Sequence, residues 1–326
     1  ADIAPLETVA ARYAVAITPY LAQQIAEGGP GLARQYLPDV AELNATADER
    51  ADPIGDHAHM PVKGIVHRYG DRALLKITHV CAVYCRFCFR REMVGPGGEG
   101  ALNPTELAAA FAYVAEHQEI WEVIVTGGDP LVLSPRRLAE LMAGLGAIDH
   151  VKVVRFHTRL PVVDPDAVTD ELVAALSAPG KAVYVALHAN HPDELTPQAR
   201  AACAKMIDAG IAMVSQSVLL RGINDDAAVL GALMRAFVET RIKPYYLHQG
   251  DLAPGTSHLR VPISEGQALM RSLRGDYSGL CQPTYVLDIP GGHGKSPIGL
   301  AYVEGVDGAY EVEDPQGVRH AYPPKA

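Results

Sequence analysis

The sequence has little cysteine and no long apolar run. Five cysteines occur in 326 residues, and three of them lie in one short segment. This distribution excludes a disulfide framework and favours a reducing, cytoplasmic location. No apolar run reaches membrane-spanning length, and the N-terminus lacks the basic and then apolar profile of a secretory signal. We therefore expect no membrane partner.

Basic residues are also fewer than acidic residues. The chain has 28 Lys and Arg against 38 Asp and Glu, a formal charge of -10. Binding of a phosphate backbone needs a basic face, so nucleic acid is not the expected main partner. With 48% hydrophobic and 20% charged residues, the composition is that of an ordinary globular protein, and one large barrel or two smaller domains would fit the length.

The cysteines that are present form the motif Cys81-Ala-Val-Tyr-Cys85-Arg-Phe-Cys88. Three thiols can hold a four-iron cluster while leaving one iron without a protein ligand. A closed zinc knot, with His79 as the nearby fourth ligand, and three unrelated thiols are the alternatives. The spacing, with an aromatic residue before the last cysteine, resembles the signature of radical S-adenosylmethionine (SAM) enzymes. The resemblance implies a 4Fe-4S cluster at Cys81, Cys85 and Cys88 that binds SAM and splits it to a 5′-deoxyadenosyl radical.

Apolar runs alternate with helical patterns from Arg72 onward, which predicts parallel strands joined by right-handed crossovers. We expect an α/β fold, a (β/α)6 partial barrel of the TIM type, with a helical N-terminal extension. The predicted strands are Ala73–Thr78, Glu122–Thr126, Val151–His157, Ala182–His188, Ala212–Leu219 and Lys243–His248. The chemistry of such barrels lies at the carboxyl ends of the strands.

Three segments follow from this interpretation. Residues 1–65 form the helical extension, 66–297 the barrel, and 298–326 a short C-terminal tail. Within the extension, the charged and turn-rich stretch 48–56 is, by itself, typical of a solvated loop.

A second chemical element comes after the sixth unit, where a short strand runs into Asp288-Ile-Pro-Gly-Gly-His-Gly-Lys295. Glycines allow close backbone approach to a ligand, and a lysine there can contact phosphate or form a Schiff base. By itself this pattern is most often a simple turn.

Together, the two elements closely resemble the lysine 2,3-aminomutase family, radical SAM enzymes that also use pyridoxal 5′-phosphate (PLP). The likeness extends from about Asp52 to Pro297. It is carried by the cysteine motif, the lysine loop, His67-Arg-Tyr-Gly-Asp-Arg72, Arg90-Arg91, Thr126-Gly-Gly-Asp-Pro130, His188-Ala-Asn-His-Pro192, Gln216-Ser-Val-Leu-Leu-Arg-Gly222 and Asp251-Leu. His293 stands where the founding members have another glycine.

The resemblance implies a role for each matching residue. Lys295 carries PLP, with Arg68 and Arg72 near its phosphate and with His188 and Gln216 in the cofactor pocket. Gly127, Gly128 and Asp129 match the motif that meets SAM. Arg90 pairs with the substrate carboxylate, and a guanidinium can do so through two hydrogen bonds. Asp251 and Asp288 hold the side-chain ammonium of lysine, because two carboxylates facing one pocket select a cation.

The implied activity is migration of the amino group of L-lysine from C2 to C3, giving β-lysine. Alternatives are an aminomutase for arginine or glutamate, and a radical SAM protein without PLP, for example one that methylthiolates or activates a partner. The short tail resembles bacterial members whose β-lysine is attached to translation elongation factor P. We also expect an electron donor such as flavodoxin or ferredoxin, and a homo-oligomer.

Overall fold

Several helices of this protein begin with a polar capping residue followed by proline. In a computed structural model that describes residues 4–95, 100–306 and 309–323, Asn103 accepts a hydrogen bond from the Glu106 amide, and Pro104 opens the helix. Ser134-Pro135 and Thr196-Pro197 repeat this arrangement. The capping side chain accepts a hydrogen bond from a first-turn N–H group that has no partner within the helix. Proline has no backbone N–H and so leaves no donor unpaired at that position.

The helices and strands follow one another in a regular alternation. In chain order they are α1 (Ala4–Arg12), α2 (Pro19–Glu27), α3 (Pro30–Ala33), β1 (Ile65–Tyr69), β2 (Arg72–Thr78), α4 (Pro104–Glu116), β3 (Glu122–Gly127), α5 (Pro135–Gly146), β4 (Val153–Thr158), α6 (Leu160–Val163), α7 (Asp170–Ala175), β5 (Ala182–His188), α8 (Pro197–Asp208), β6 (Ala212–Val218), α9 (Ala227–Glu239), β7 (Lys243–His248), α10 (Ile263–Asp276), β8 (Thr284–Asp288), β9 (Lys295–Pro297), β10 (Val303–Val306), β11 (Ala309–Glu313) and β12 (Arg319–Tyr322).

Strands β1 to β9 form one sheet in sequence order. Strands β2 to β8 pair in parallel through successive helical crossovers, whereas β1 and β9 pair antiparallel at the two edges. This arrangement confirms the α/β fold and the partial barrel. The six predicted strands agree with β2 to β7 to within two residues at each end.

The sequence analysis did not identify α10, which precedes the seventh parallel strand, β8. Gly266 interrupts its helical pattern, and glycine is a poor helix former. In the structure Gly266 faces Tyr285 on β8. A Cβ at position 266 would come within 2.1 Å of the Tyr285 hydroxyl oxygen. The glycine therefore lets helix and strand pack closely.

The main core lies between the sheet and its crossover helices. Strands such as β3 and β4 are buried along most of their length, as expected for parallel strands covered on both faces. Packing therefore fixes where the strands end, and it places Thr78, Gly127, Thr158, His188 and Asp288 at the carboxyl ends of their strands.

The segments outside the barrel are also structured. Strands β10 to β12 form a separate antiparallel sheet, and Arg274 of α10 donates to the Glu313 carbonyl at 2.7 Å and stacks on Tyr302. Of the predicted segments 1–65, 66–297 and 298–326, residues 1–3, 96–99, 307–308 and 324–326 lie outside the described residues. In the described part of the chain, every helix is too short or too polar to cross a bilayer.

Candidate active site

Two neighbouring cavities open at the carboxyl ends of the parallel strands. The larger has a volume of about 440 Å³ and is lined by ten of the predicted site residues: Arg68, Arg72, Cys85, Cys88, Arg90, His188, Gln216, Asp251, Asp288 and Lys295. The smaller, of about 110 Å³, is lined by the other four: Cys81, Gly127, Gly128 and Asp129. Cys88, Arg90 and His188 line both cavities, so the structure brings the whole predicted set together.

The cysteine loop follows β2, and its three thiols are half-buried. Burial raises the pKa of all three thiols, that of Cys88 to about 11, and the charges of neighbouring cysteines add to the increase for Cys81 and Cys88. A buried thiol ionises readily only with a cation or a metal beside it. Arg159 Nη1 lies 3.6 Å from Cys85 Sγ, and this guanidinium lowers the thiol pKa against the effect of burial.

The distances between the three cysteine sulfur atoms bear on the kind of metal that the loop can bind. Tetrahedral Zn–S bonds would hold the sulfurs about 3.8 Å apart. Among the described residues, the three thiols do not form a group whose ligand atoms all lie within 4.8 Å of one another. Within the part of the chain that the structure describes, they form no such group with His79, the proposed fourth zinc ligand, either. A larger, polynuclear cluster fits this loop better than a closed zinc knot.

Gly127 and Gly128 place the end of β3 directly against the cysteine loop. Gly127 has φ = 118°, and a Cβ at Gly128 would lie 2.3 Å from the Val80 carbonyl oxygen. The carboxylate of Asp129 accepts hydrogen bonds from Thr158 Oγ1 at 2.7 and 2.9 Å and from the Arg159 amide at 2.8 Å. Protein donors therefore occupy this carboxylate, which joins the ends of β3 and β4 beside the smaller cavity.

Lys295, Asp288 and His248 form a buried chain of polar contacts. Lys295 Nζ lies 2.5 Å from Asp288 Oδ2, and His248 Nδ1 lies 3.4 Å from the same oxygen. Burial raises the pKa of Asp288, but the contacts with His248 and Lys295 outweigh it and hold the pKa well below its usual value. Burial and the Lys295 ammonium lower the pKa of His248, which is neutral at pH 7. The Lys295 amide also donates to Tyr69 Oη at 2.8 Å, joining β9 to β1.

Asp251 lies beside this chain and has a different protonation behaviour. Burial and the neighbouring charge of Asp288 raise its pKa to about 7, against the opposing effect of Lys295. One ammonium cannot fully neutralise the negative charge of two neighbouring carboxylates. A second cation at this position would therefore be bound favourably.

A buried anion not recognised in the sequence, Asp56, organises the cationic part of the cavity. Arg90 donates to Asp56 Oδ2 through Nε and Nη2 at 3.3 and 3.1 Å, Arg68 lies 3.2 Å from Oδ1, and Lys76 lies 3.9 Å from Oδ2. Asp56 is fully buried, so the interpretation of 48–56 as a solvated loop is wrong for this residue. Three cations around one carboxylate leave an excess of positive charge facing the cavity.

The remaining predicted residues sit deeper or at the rim. Burial and the Arg159 charge lower the pKa of His188 to about 3, so this imidazole is neutral, and its Nε2 has no hydrogen-bond partner within the described residues. Gln216 Nε2 lies 3.5 Å from His157 Nε2. Arg72 lies at the rim, paired with Asp71 at 2.6 Å and stacked on Tyr69.

Sequence reasoning also missed the buried pair Arg159 and Glu194. Arg159 forms an ion pair with Glu194 and donates to Gln35 Oε1 at 3.1 Å, while Glu194 accepts from the Tyr36 hydroxyl at 2.8 Å. The pair joins the N-terminal extension to the wall beside Cys85. A usable signal existed, since Arg159 immediately follows a strand and Glu194 follows the His188 motif.

Comparison with known proteins identifies the class of this site. The family model described as the Radical SAM superfamily matches residues 75–230, which include the cysteine loop and β2 to β6. Among solved structures, a radical SAM methyltransferase from Sphaerobacter thermophilus aligns over 68% of this chain and 68% of its own, with 19% identity and a TM-score of 0.45. Residues 75–230 therefore match a radical SAM domain.

Curated relatives narrow the family further. L-lysine 2,3-aminomutase of Clostridium subterminale is 40% identical over 291 residues, 89% of this chain and 70% of the relative. The enzyme of that name from Escherichia coli is 37% identical over 82% of this chain and 78% of its own. Glutamate 2,3-aminomutase of Clostridioides difficile is 38% identical over 77% of this chain and 59% of its own. The chain belongs to the lysine 2,3-aminomutase family and is an isomerase.

The family implies a 4Fe-4S cluster and SAM, and the residues present fit both. Cys88 lines both cavities, Cys85 the larger and Cys81 the smaller, so all three thiols border the space where a cluster and SAM would bind. Gly127 and Gly128 line the smaller cavity, and because a Cβ at either would clash with the carbonyl oxygen of Thr78 or Val80, only glycine lets β3 end against the cysteine loop. The cluster ligands and the proposed SAM contacts therefore share one wall.

Proposed function

We propose that this enzyme is a PLP-dependent L-lysine 2,3-aminomutase that converts L-lysine to β-lysine. The observation that carries the proposal is the composition of one cavity, which is lined by two of the three motif cysteines, a half-buried lysine and two groups of opposite charge. Cations come from β1, β2 and the cysteine loop, whereas carboxylates come from the ends of β7 and β8.

PLP fits this cavity on three grounds. Lys295 offers a primary amine at the cavity wall, Arg68 and Arg72 offer cations for a phosphate, and Gln216 lines the same space. The volume of about 440 Å³ lies within the range of cofactor and ligand pockets. When bound, the cluster and SAM would supply a 5′-deoxyadenosyl radical, and PLP a conjugated ring that spreads an unpaired electron.

The chain itself then positions the substrate. The excess positive charge around Asp56 favours a carboxylate, and Arg90 is the cation of this group that lines both cavities. Asp288 already binds an alkylammonium group, that of Lys295, at 2.5 Å. Once the cofactor engages that amine, Asp288 and Asp251 are left to bind the ε-ammonium of lysine. Glutamate would instead place a carboxylate against two others.

The cavity also protects the reaction. A primary carbon radical abstracts hydrogen from any nearby C–H group, so the enzyme must exclude water and hold the substrate rigidly. Buried neutral imidazoles at His188 and His248 leave no acidic proton at these positions near pH 7. The charged groups that remain are directed at the two ends of the substrate.

Two measurements test the proposal. Borohydride reduction of anaerobically purified, PLP-supplemented enzyme, followed by peptide mapping, should place a pyridoxyl group on Lys295, whereas an unmodified Lys295 would contradict PLP dependence. Anaerobic turnover with SAM, PLP, dithionite and either lysine, arginine or glutamate should yield a β-amino acid from lysine. Turnover of arginine or glutamate alone would favour the alternative aminomutases. Supply of β-lysine to elongation factor P, a cytoplasmic location, a flavodoxin- or ferredoxin-type donor and a homo-oligomer stay predictions.

A further inference from the structure

A group of metal-ligating side chains lies outside the two cavities. It consists of His67 on β1, His117 directly after α4, and Glu119 in the turn that follows. One ligand atom from each of the three lies within 4.8 Å of the other two. The sequence analysis used His67 only as part of a motif and did not single out the other two residues.

Tyr113 orients both imidazoles. His67 Nδ1 lies 2.9 Å from the Tyr113 hydroxyl, and His117 Nδ1 lies 2.8 Å from the Tyr113 carbonyl. The His117 ring also stacks on the Tyr113 ring, with the centroids 3.8 Å apart. Because a carbonyl only accepts, His117 Nδ1 carries the proton and its Nε2 has a free lone pair. Metal-binding histidines commonly have the other ring nitrogen engaged in this way.

The local chemistry suits zinc. Two imidazoles and one carboxylate form a ligand set typical of Zn²⁺, with the fourth position open to water. Bonds of about 2.0–2.1 Å hold tetrahedral ligands about 3.4 Å apart, so each pair has to close by at most about 1.4 Å. Glu119 is exposed and can make that movement, whereas both rings are half-buried and held by Tyr113.

We propose that His67, His117 and Glu119 form a zinc site that joins β1 to the end of α4. Arg68 lines the larger cavity whereas His67 lines neither of the two cavities, so the site is distinct from the cofactor centre. A metal here stabilises the edge strand that carries Arg68 and Tyr69. The inference does not depend on the proposed substrate or on PLP.

The test uses enzyme whose cluster has been reconstituted anaerobically, so that Cys81, Cys85 and Cys88 are occupied and do not compete for zinc. After equilibrium dialysis against ZnCl₂, metal analysis should find about one zinc per chain in the wild type, with unchanged iron. H117A and E119Q should each weaken zinc binding at least tenfold. E116Q, which changes an exposed glutamate at the end of the same helix, should leave it unchanged. Added zinc should raise the Tm of wild type and E116Q only.

Equal zinc content in wild type, H117A and E119Q would overturn the site, as would a wild-type enzyme that retains no zinc. If H117A fails to fold, E119Q still tests the zinc site. The Glu119 side chain is exposed, and glutamine has nearly the same shape, so this substitution should not disturb folding.

Discussion

At the scale of single residues, we propose that the specificity of the cavity depends on Asp288 and Asp251, which both lie near the Lys295 ammonium. D288N removes the carboxylate that binds Lys295 Nζ and that we assign to the substrate ammonium. We expect the lysine KM to rise about tenfold or more, because a charge-assisted hydrogen bond contributes about 1.5–3 kcal/mol. The measurement is anaerobic steady-state kinetics with lysine.

Two controls separate substrate binding from general damage. D276N changes an exposed aspartate at the end of α10 and should leave the KM unaltered. Borohydride labelling of Lys295 in D288N should remain, which shows that the cofactor still binds. A KM equal to that of wild type would disprove the assignment of Asp288.

The protonation of Asp251 predicts a pH dependence. Burial and Asp288 raise its pKa to about 7, so the group is a carboxylate above this pH and a neutral acid below it. A neutral acid does not attract an ammonium, and we expect kcat/KM for lysine to fall about tenfold per pH unit as the pH decreases below 7. Rates measured from about pH 6 to 9 should show this acid limb in wild type and lack it in D251N. If D251N shows the same loss of rate at low pH as the wild type, the titrating group is a residue other than Asp251.

At the scale of elements, Asp56 shows how a loop residue supports two strands. It pairs with Arg68 on β1, Lys76 on β2 and Arg90 after the cysteine loop. D56N would remove the anion that Arg68 and Arg90 pair with in the interior, and breaking such a network costs about 3–5 kcal/mol. We expect a markedly lower Tm for the reconstituted enzyme in anaerobic calorimetry.

The matched control is D71N. Asp71 pairs with Arg72, but its side chain is 63% exposed, and surface ion pairs contribute about 0–1 kcal/mol. The Tm of D71N should therefore stay close to that of wild type. A similar small change in both variants would show that Asp56 is not a structural anion.

Elements differed in how well the sequence predicted them. Strands β2 to β7 were recognised because buried parallel strands are continuous apolar runs, and this pattern needs no knowledge of the partners. Helix α10 was missed because Gly266 weakens its pattern, and only the contact with Tyr285 explains the glycine. Asp56 was missed because burial of a loop carboxylate depends on cations distant in the chain.

At the scale of the whole molecule, the N-terminal extension supports the cysteine loop. Glu42 is fully buried and accepts from Arg86 Nε at 2.9 Å and Nη2 at 2.5 Å, and it also pairs with Arg91. These arginines flank Cys88. The extension thus closes one side of the cluster site.

E42Q removes the negative charge between the two buried arginines. We expect the reconstituted enzyme to lose its cluster several-fold faster in air, because the loop that holds the thiols is no longer fixed. The decay of cluster absorbance after exposure to air measures this rate. E27Q changes an exposed glutamate of α2 and should decay as the wild type does. Equal decay in E42Q would contradict a supporting role for the extension.

The sequence by itself indicated the radical SAM chemistry and the parallel strands of this protein, and it predicts a PLP site at Lys295. Three thiols at a fixed spacing and a lysine in a glycine-rich loop are local patterns, and apolar runs identify parallel strands without reference to their neighbours. Tertiary structure decided the electrostatics: the burial of Asp56 and Glu42, the neutral His188 and His248, and the raised pKa of Asp251. Desolvation and through-space charge set these properties, and both depend on residues that only folding brings together.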